Sequence, residues 1–281
     1  MSLSQSEKAT RFRALHEGPG TFVIPNPWDA GSARVLAALG FQALATTSAG
    51  FAFTLGRRDG AGLVSRDEML DHCRTIVEAT DLPVSADLEN CFGDDPGTVA
   101  ETIRRAAAVG LVGGSVEDAS GDPSRPIYDF GHSVERVAAA VEAARSLPFP
   151  FTLVARAENF LHGRPDLDDT LRRLQAFAGA GADVLYAPCL PSLDAIRTVC
   201  AAVAPKPVNA LAARKGDGLT VENLAAAGVR RISVGSALNR AAYGAFLRAA
   251  REIQEKGTFT FGDDAVPFSE IGDFMLGRPR G

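Results

Sequence analysis

Residues 82–118 read LPVSADLENCFGDDPGTVAETIRRAAAVGLVGGSVED. A short apolar run ends in acids at Asp87 and Glu89. A helical pattern follows over 96–109, where Val99, Ile103, Ala106 and Ala107 recur at three- and four-residue steps. Gly110 punctuates its end, and a second apolar run closes on Glu117 and Asp118. This is a strand–helix–strand unit, and each strand finishes in carboxylates.

The unit repeats along the chain. Short apolar runs fall at 21–26, 42–48, 82–89, 111–118, 151–158, 183–189, 207–213 and 230–236, eight in all. Helical patterns lie between them at 65–79, 96–109, 133–146, 168–180, 192–203 and 219–227. Ser65 with Glu68 three residues on, Ser133 with Arg136, and Ser192 before Leu193 mark helix starts. Eight alternating units predict an α/β fold, a single-domain (β/α)8 TIM barrel over 1–257, rather than an open doubly wound sheet. The segment 258–281 carries Phe259, Phe261, Phe268 and Phe274 and is expected to form a helical tail packed on the barrel or on a neighbouring subunit.

Composition narrows the function. The chain has 281 residues, 46% of them hydrophobic and 22% charged, which is ordinary for a globular protein. A net charge of −5 argues against a nucleic-acid partner, because phosphate neutralisation needs a basic face. The four cysteines, Cys73, Cys91, Cys189 and Cys200, form no CxxC pair and suit reduced thiols. The polar start MSLSQSEKATRFRALHEG does not read as a signal peptide, and no apolar stretch approaches the ~20 residues of a membrane span. The expectation is a cytoplasmic protein without a membrane partner.

In a barrel of this kind the active site lies at the C-terminal ends of the strands. Ser48, Asp87, Glu89, Glu117, Asp118, Arg156, Glu158 and Asn209 all fall there. Strand alternation places Asp87 and Glu89 on one face, and Glu117 on the next strand can converge on them. Three close carboxylates repel unless a proton or cation joins them. A hard divalent ion, Mg²⁺ or alternatively Mn²⁺, suits an all-oxygen set. Cys91 is too soft a ligand and no histidine belongs to the group, so zinc is disfavoured. Arg156 would set a cation beside the metal, shaped for a carboxylate or a phosphonate.

These motifs resemble the isocitrate lyase and phosphoenolpyruvate mutase superfamily. The likeness runs from NPWDAGSARVLAALGFQALATTSAGFAFTLGRRDG through ADLENCFG, GSVED and VARAENFLHG to AGADVLYAP. It implies Asp87 as the direct metal ligand, with Glu89 and Glu117 holding the ion through water. It implies Asp59 and Glu117 beside Arg156 in the catalytic group, and Ser48, Ala49, Gly50, Arg156 and Asn209 around the substrate. The expected enzyme is a Mg²⁺-dependent carbon–carbon lyase, acting on a small 2-oxo or 2-hydroxy dicarboxylate through a pyruvate-type enolate. Decarboxylation of an oxaloacetate-like acid falls within that expectation. A homo-oligomer, a tetramer by resemblance, is expected too.

The chain also departs from the pattern. The lyases carry a Lys-Cys-Gly-His-type loop after the fourth strand, and the mutases a Lys-Thr-Asn run. Here that segment is DASGDPSRPIYDFG, 118–131, with neither lysine nor cysteine. Ser120, Arg125 and Tyr128 occupy it, and Arg125 or Tyr128 could close over a substrate in place of the lost group. C–P bond chemistry on a phosphonate and an inactive keto-acid-binding barrel remain alternatives. SVGSALNR, 233–240, looks like a barrel phosphate cup, which raises a phosphosugar aldolase. No lysine lies on a proposed strand to form the Schiff base such an enzyme needs. His162 and Asn209 are further candidates; a loop histidine is the favoured reading of the first, and a structural amide is as good a reading of the second.

Overall fold

The computed structural model describes residues 3–212, 216 and 218–277. The strands are β1 (Phe22–Ile24), β2 (Leu44–Ala45), β3 (Val84–Asp87), β4 (Gly113–Glu117), β5 (Thr152–Arg156), β6 (Val184–Tyr186), β7 (Val208–Leu211) and β8 (Arg231–Ser233). All eight are parallel, in the order β1-β8-β7-β6-β5-β4-β3-β2. Ala45 N–H donates to Pro25 C=O at 3.1 Å, which brings β2 back to the end of β1 and closes the ring. The result is a (β/α)8 barrel.

The helices are α1 (Gln5–Glu17), α2 (Ala30–Ala38), α3 (Ser48–Thr54), α4 (Arg66–Ala79), α5 (Pro96–Ala108), α6 (Phe130–Arg145), α7 (Leu167–Gly179), α8 (Leu193–Val203), α9 (Val221–Ala226), α10 (Ala237–Lys256) and α11 (Phe268–Met275). Ser65 and Ser192 cap α4 and α8 as their spacing predicts, Ser65 in a full capping box with Glu68. Ser133 does not cap α6. That helix starts three residues earlier, with Asp129 at its N-cap, and Ser133 lies buried within its first turn. The main core lies between helices and strands, where Val99 and Ile103 of α5 and Leu153 and Leu185 of the sheet are fully buried.

Such barrels are usually filled by branched apolar side chains. This one is small and polar on its β3–β4 side, with Ser85, Gly113 and Ser115 there. Phe12 of α1 supplies the missing bulk at the N-terminal end and is fully buried with Ile24 and Val112. A Cβ at Gly113 would stand 2.9 Å from the Phe12 ring and 2.8 Å from the Thr152 carbonyl, so only glycine admits the plug.

The tail returns to its own barrel. α11 packs on α2, Phe274 is buried, and Arg34 donates to the Met275 carbonyl. α10 differs from every other long helix: Asn239 is its one buried residue, while Tyr243, Phe246, Leu247 and Ile253 are exposed. Among the described residues, no helix is long and apolar enough to cross a membrane.

Candidate active site

Arg156 ends β5 and organises the mouth. Its Nη1 lies 2.8 Å from Asp87, its Nη2 3.1 Å from Glu117 and its Nε 2.7 Å from Glu158. β4 and β5 are in register at Glu117 and Arg156, which sets that pair side by side. Burial works against the guanidinium charge, yet Glu158, Glu117 and Asp87 together hold its pKa well above the usual value. Each of its three nitrogens already faces a carboxylate. A substrate anion reaching Arg156 competes with the chain's own acids, which the sequence does not foretell.

Asp87 is the hub. Its Oδ2 accepts from the Ser48 hydroxyl at 3.0 Å and the Ser48 N–H at 3.3 Å, and its backbone N–H donates to Thr46 Oγ1 at 3.0 Å. Ser115, its register partner on β4, donates to Oδ1 at 3.5 Å. Asp59 is exposed overall on the loop after α3, but reaches Ser48. Lost hydration, then the charge of Asp87, raises its pKa, against the Ser48 hydrogen bond.

Glu89 comes to the mouth by a route that strand alternation does not describe. β3 stops at Asp87, and Glu89 takes φ 50°, followed by Cys91 at 59° and Phe92 at 63°. Left-handed residues without glycine are costly and cluster where the surroundings over-determine them. Here Arg136 of α6 supplies the constraint. It is 1% exposed and donates to the carbonyls of Asn90, Gly93 and Asp94 at 2.5 to 2.6 Å. The turn leaves Glu89 half-buried near two acids. Burial, then Asp87, then Asp59, pushes its pKa up to about 7. Glu117 is raised well above the usual range, by burial first, with Glu158, Asp87 and Glu89 adding to it against Arg156.

Glu158 is the member that the sequence hints at without assigning, two residues beyond Arg156. It is fully buried, one oxygen meets Arg156, and its Oε2 has no partner among the described residues. Asp118, by contrast, is tied away from the cluster: it accepts from Glu158 N–H at 2.8 Å and pairs with Arg173 at 2.9 Å. Cys91 is fully buried, its thiol pushed up to about 12 by burial. His162 is exposed on the loop after β5.

The remaining candidates are committed elsewhere. Gly50 N–H donates to Thr47 Oγ1 at 3.2 Å, which leaves Ala49 in the first turn of α3 as the cradle's other amide. A Cβ at Gly50 would lie 2.6 Å from the Thr47 methyl, so the residue must be glycine. Asn209 donates to Ser233 at 2.9 Å and its Oδ1 is left over. Tyr128 donates to Asp94, accepts from Asn90 and stacks under Arg136, while Arg125 is exposed and faces Asp122 at 3.7 Å. Neither points to a closing group. Ser120 is held by the short turn it starts, at Arg125 O. The SVGSALNR cup is filled from within: Val234 and Gly235 N–H both donate to Asn26 Oδ1 at 2.9 Å. The amides that would grip a phosphate are taken.

The donor set fits a hard divalent ion. Asp59, Asp87, Glu89, Glu117 and Glu158 face one bound guanidinium, three have raised pKa values, and one buried oxygen lacks a partner. Among the described residues, no three acids stand close enough to ligate an ion directly. The fit lies in the chemistry of the set, which is all hard oxygen, as Mg²⁺ prefers.

A parallel barrel whose acids gather at the C-terminal strand ends is the architecture of a barrel enzyme. The chain matches the family model described as phosphoenolpyruvate phosphomutase over residues 12–254, and it belongs to that family, within the phosphoenolpyruvate mutase and isocitrate lyase superfamily of lyases and mutases. It is 28% identical over 259 residues to the 2-methylisocitrate lyase of Halalkalibacterium halodurans, covering 91% of this chain and 85% of that one. A crystallised candidate lyase/mutase of Burkholderia cenocepacia J2315 superposes with a TM-score of 0.95 at 59% identity, over 98% and 99% of the two chains. Oxaloacetate acetylhydrolase in complex with the product oxalate superposes with a TM-score of 0.86 at 27% identity, over 97% and 94%.

Proposed function

We propose that this enzyme is a Mg²⁺-dependent lyase that breaks a C–C bond in a small 2-oxo or 2-hydroxy dicarboxylate, an oxaloacetate-like acid being the simplest case. The observation that carries the reading is the acid cluster around Asp87 with Arg156 at its centre. Asp87 would hold the ion directly, and Glu89 and Glu117 through water. Mn²⁺ has the same ligand preferences. The ion, when bound, supplies positive charge that polarises a 2-oxo group and favours charge developing on its oxygen.

The chain's own groups do the rest. Ser48 is fixed on Asp87 at the start of α3, where the neighbouring Ala49 amide would meet a substrate oxygen. Arg156 sets its positive charge between Asp87 and Glu117 and would present an outer N–H group to a substrate carboxylate. Glu89, its pKa pushed up to about 7, would hold a proton near neutral pH and return it to a product carbon, with Asp59, also raised, beside it. No lysine or cysteine in 118–131 is needed for loss of CO₂ or hydrolysis of an oxaloacetate-like acid.

The test is a screen of C4 to C6 oxo- and hydroxy-acids with phosphonopyruvate included, run with Mg²⁺ and with chelator. Metal-dependent release of a pyruvate- or oxalate-type product supports the reading. Turnover of phosphonopyruvate alone would replace it with the C–P reading that the family description favours. The proposal extends to a homo-oligomer: α10 keeps a row of exposed apolar residues, which light scattering of the purified protein would test.

A further inference from the structure

Arg156 is not the only guanidinium inside the barrel. Arg231 opens β8, in register with Asn209 on one side and Phe22 on the other. It is 6% exposed, and its guanidinium carbon lies 5.9 Å from the centre of the Phe12 ring, the plug at the barrel floor. Arginines buried to this degree are normally paired. Among the described residues Arg231 has no carboxylate partner, and its Nε and Nη1 have no hydrogen-bond acceptor at all.

The charge nearest in kind is the acid cluster above it. Asn209, the register partner of Arg231, is in turn paired with Tyr186 of β6, whose ring centre lies 5.1 Å from the Arg156 guanidinium carbon. The Ser85 hydroxyl, fully buried, also lacks a partner. Arg231 and Ser85 thus leave buried polar atoms unsatisfied inside the barrel, where such groups are costly. Burial pulls the Arg231 pKa down to about 10, while Tyr186 and Asp87 pull it up.

We propose that Arg231 is a positioning residue acting through charge: from the barrel floor it balances the carboxylates of Asp59, Asp87, Glu89, Glu117 and Glu158, so that they tolerate one another and a dianionic substrate can approach them. The balancing half stands on the cluster alone. The substrate half rests on the dicarboxylate reading given above.

Two experiments separate these halves. The first needs no ligand. Thermal unfolding in chelator is measured for Arg231→Met, Asp87→Asn and the double variant. The expected result is a double variant that loses clearly less than the sum of the single losses, with Arg231→Lys close to wild type. Strict additivity, or a lysine variant as unstable as the methionine one, overturns the proposal. Should Arg231→Met not fold, Arg231→Gln takes its place in the cycle.

The second experiment is calorimetric titration with Mg²⁺ alone and with oxalate in the presence of Mg²⁺. Removing a unit charge that acts through the barrel interior, at an effective dielectric near 20, is expected to change affinity on the order of tenfold. Arg231→Met is expected to bind Mg²⁺ about tenfold more tightly and oxalate about tenfold more weakly. A residue with a merely structural role would weaken both together, and that outcome overturns the proposal. Wild-type protein that binds neither probe ends the dicarboxylate reading instead, and the unfolding cycle then decides Arg231 by itself.

Discussion

The two arcs of the barrel mouth resolve the same problem in opposite ways. Around β7, β8 and β1, polar groups close on one another: Asn26 spans from Thr46 O to the amides of Val234 and Gly235, and Asn209 meets Ser233. These are neutral groups in donor–acceptor pairs, with the Asn209 Oδ1 the one atom among them left over. Around β3, β4 and β5, several acids share one guanidinium, and a buried carboxylate oxygen of Glu158 is left over. Folding stability alone favours the first arrangement, since buried charge without balance is costly. The second persists where something from outside completes it. The contrast supports the β3–β5 arc as the place of the proposed chemistry, and it leaves the cup at 233–240 with its Val234 and Gly235 amides taken by Asn26.

The sharpest way to break this contrast is Asp87→Ala. Metal-dependent turnover should fall by more than about 100-fold while the circular dichroism spectrum stays that of the wild type. Full activity in that variant would remove the acid arc from the mechanism. Arg136→Met comes next. Three carbonyls of the 89–94 turn would lose their buried donor, with an expected loss of about 3 kcal/mol by denaturant unfolding, whereas Arg125→Ala in the exposed loop should stay within about 0.5 kcal/mol.

Asn26→Ala probes the neutral arc. Freeing the Val234 and Gly235 amides should cost roughly 2 kcal/mol of stability and leave the metal dependence of turnover unchanged. A changed metal requirement would show that the two arcs are not separate.

The smallest effect lies at the floor, away from both arcs. His16 sits edge-on to Phe12 and Phe22, its Nδ1 donates to the Phe12 carbonyl, and burial lowers its pKa from 6.5 to about 3. His72, stacked on Phe51, is lowered to about 4, also chiefly by burial. The unfolded chain takes up these protons first. Their contribution to stability is whole above pH 6.5 and is lost as pH falls towards 3 to 4. His16→Phe should flatten part of the fall in unfolding temperature between pH 7 and 5. An unchanged slope would mean that His16 is not held neutral by the fold.

Much of the fold was legible because it is written in short-range periodicity. The eight apolar runs each contain one observed strand, and Gly and Ser punctuation marked α4 and α8 at their caps. α11 falls in the helical tail expected at 258–281, whereas α1 reads only as a polar start, because a plug such as Phe12 has meaning only inside the barrel that it fills. The segment 207–213 was read as one strand; its last residue lies outside the described residues, and β7 covers Val208–Leu211.

The site was legible as a set of residue types at strand ends and not as a set of contacts. Alternation placed Asp87 and Glu89 on one face, whereas a left-handed turn held by Arg136 from 46 residues away brings Glu89 to the mouth. The sequence by itself determined the barrel, the end that carries the acids, and the family to which the chain belongs, since all three follow from local pattern and motif order. Only the tertiary structure decided that Arg156 is shared by three acids, that Asn26 fills the loop after β8, and that Arg231 stands unpaired beneath them. Asp87 and Arg156 meet across 69 residues of chain. Which charges pair at such separations depends on barrel closure and register, and neither is encoded in the residues on either side.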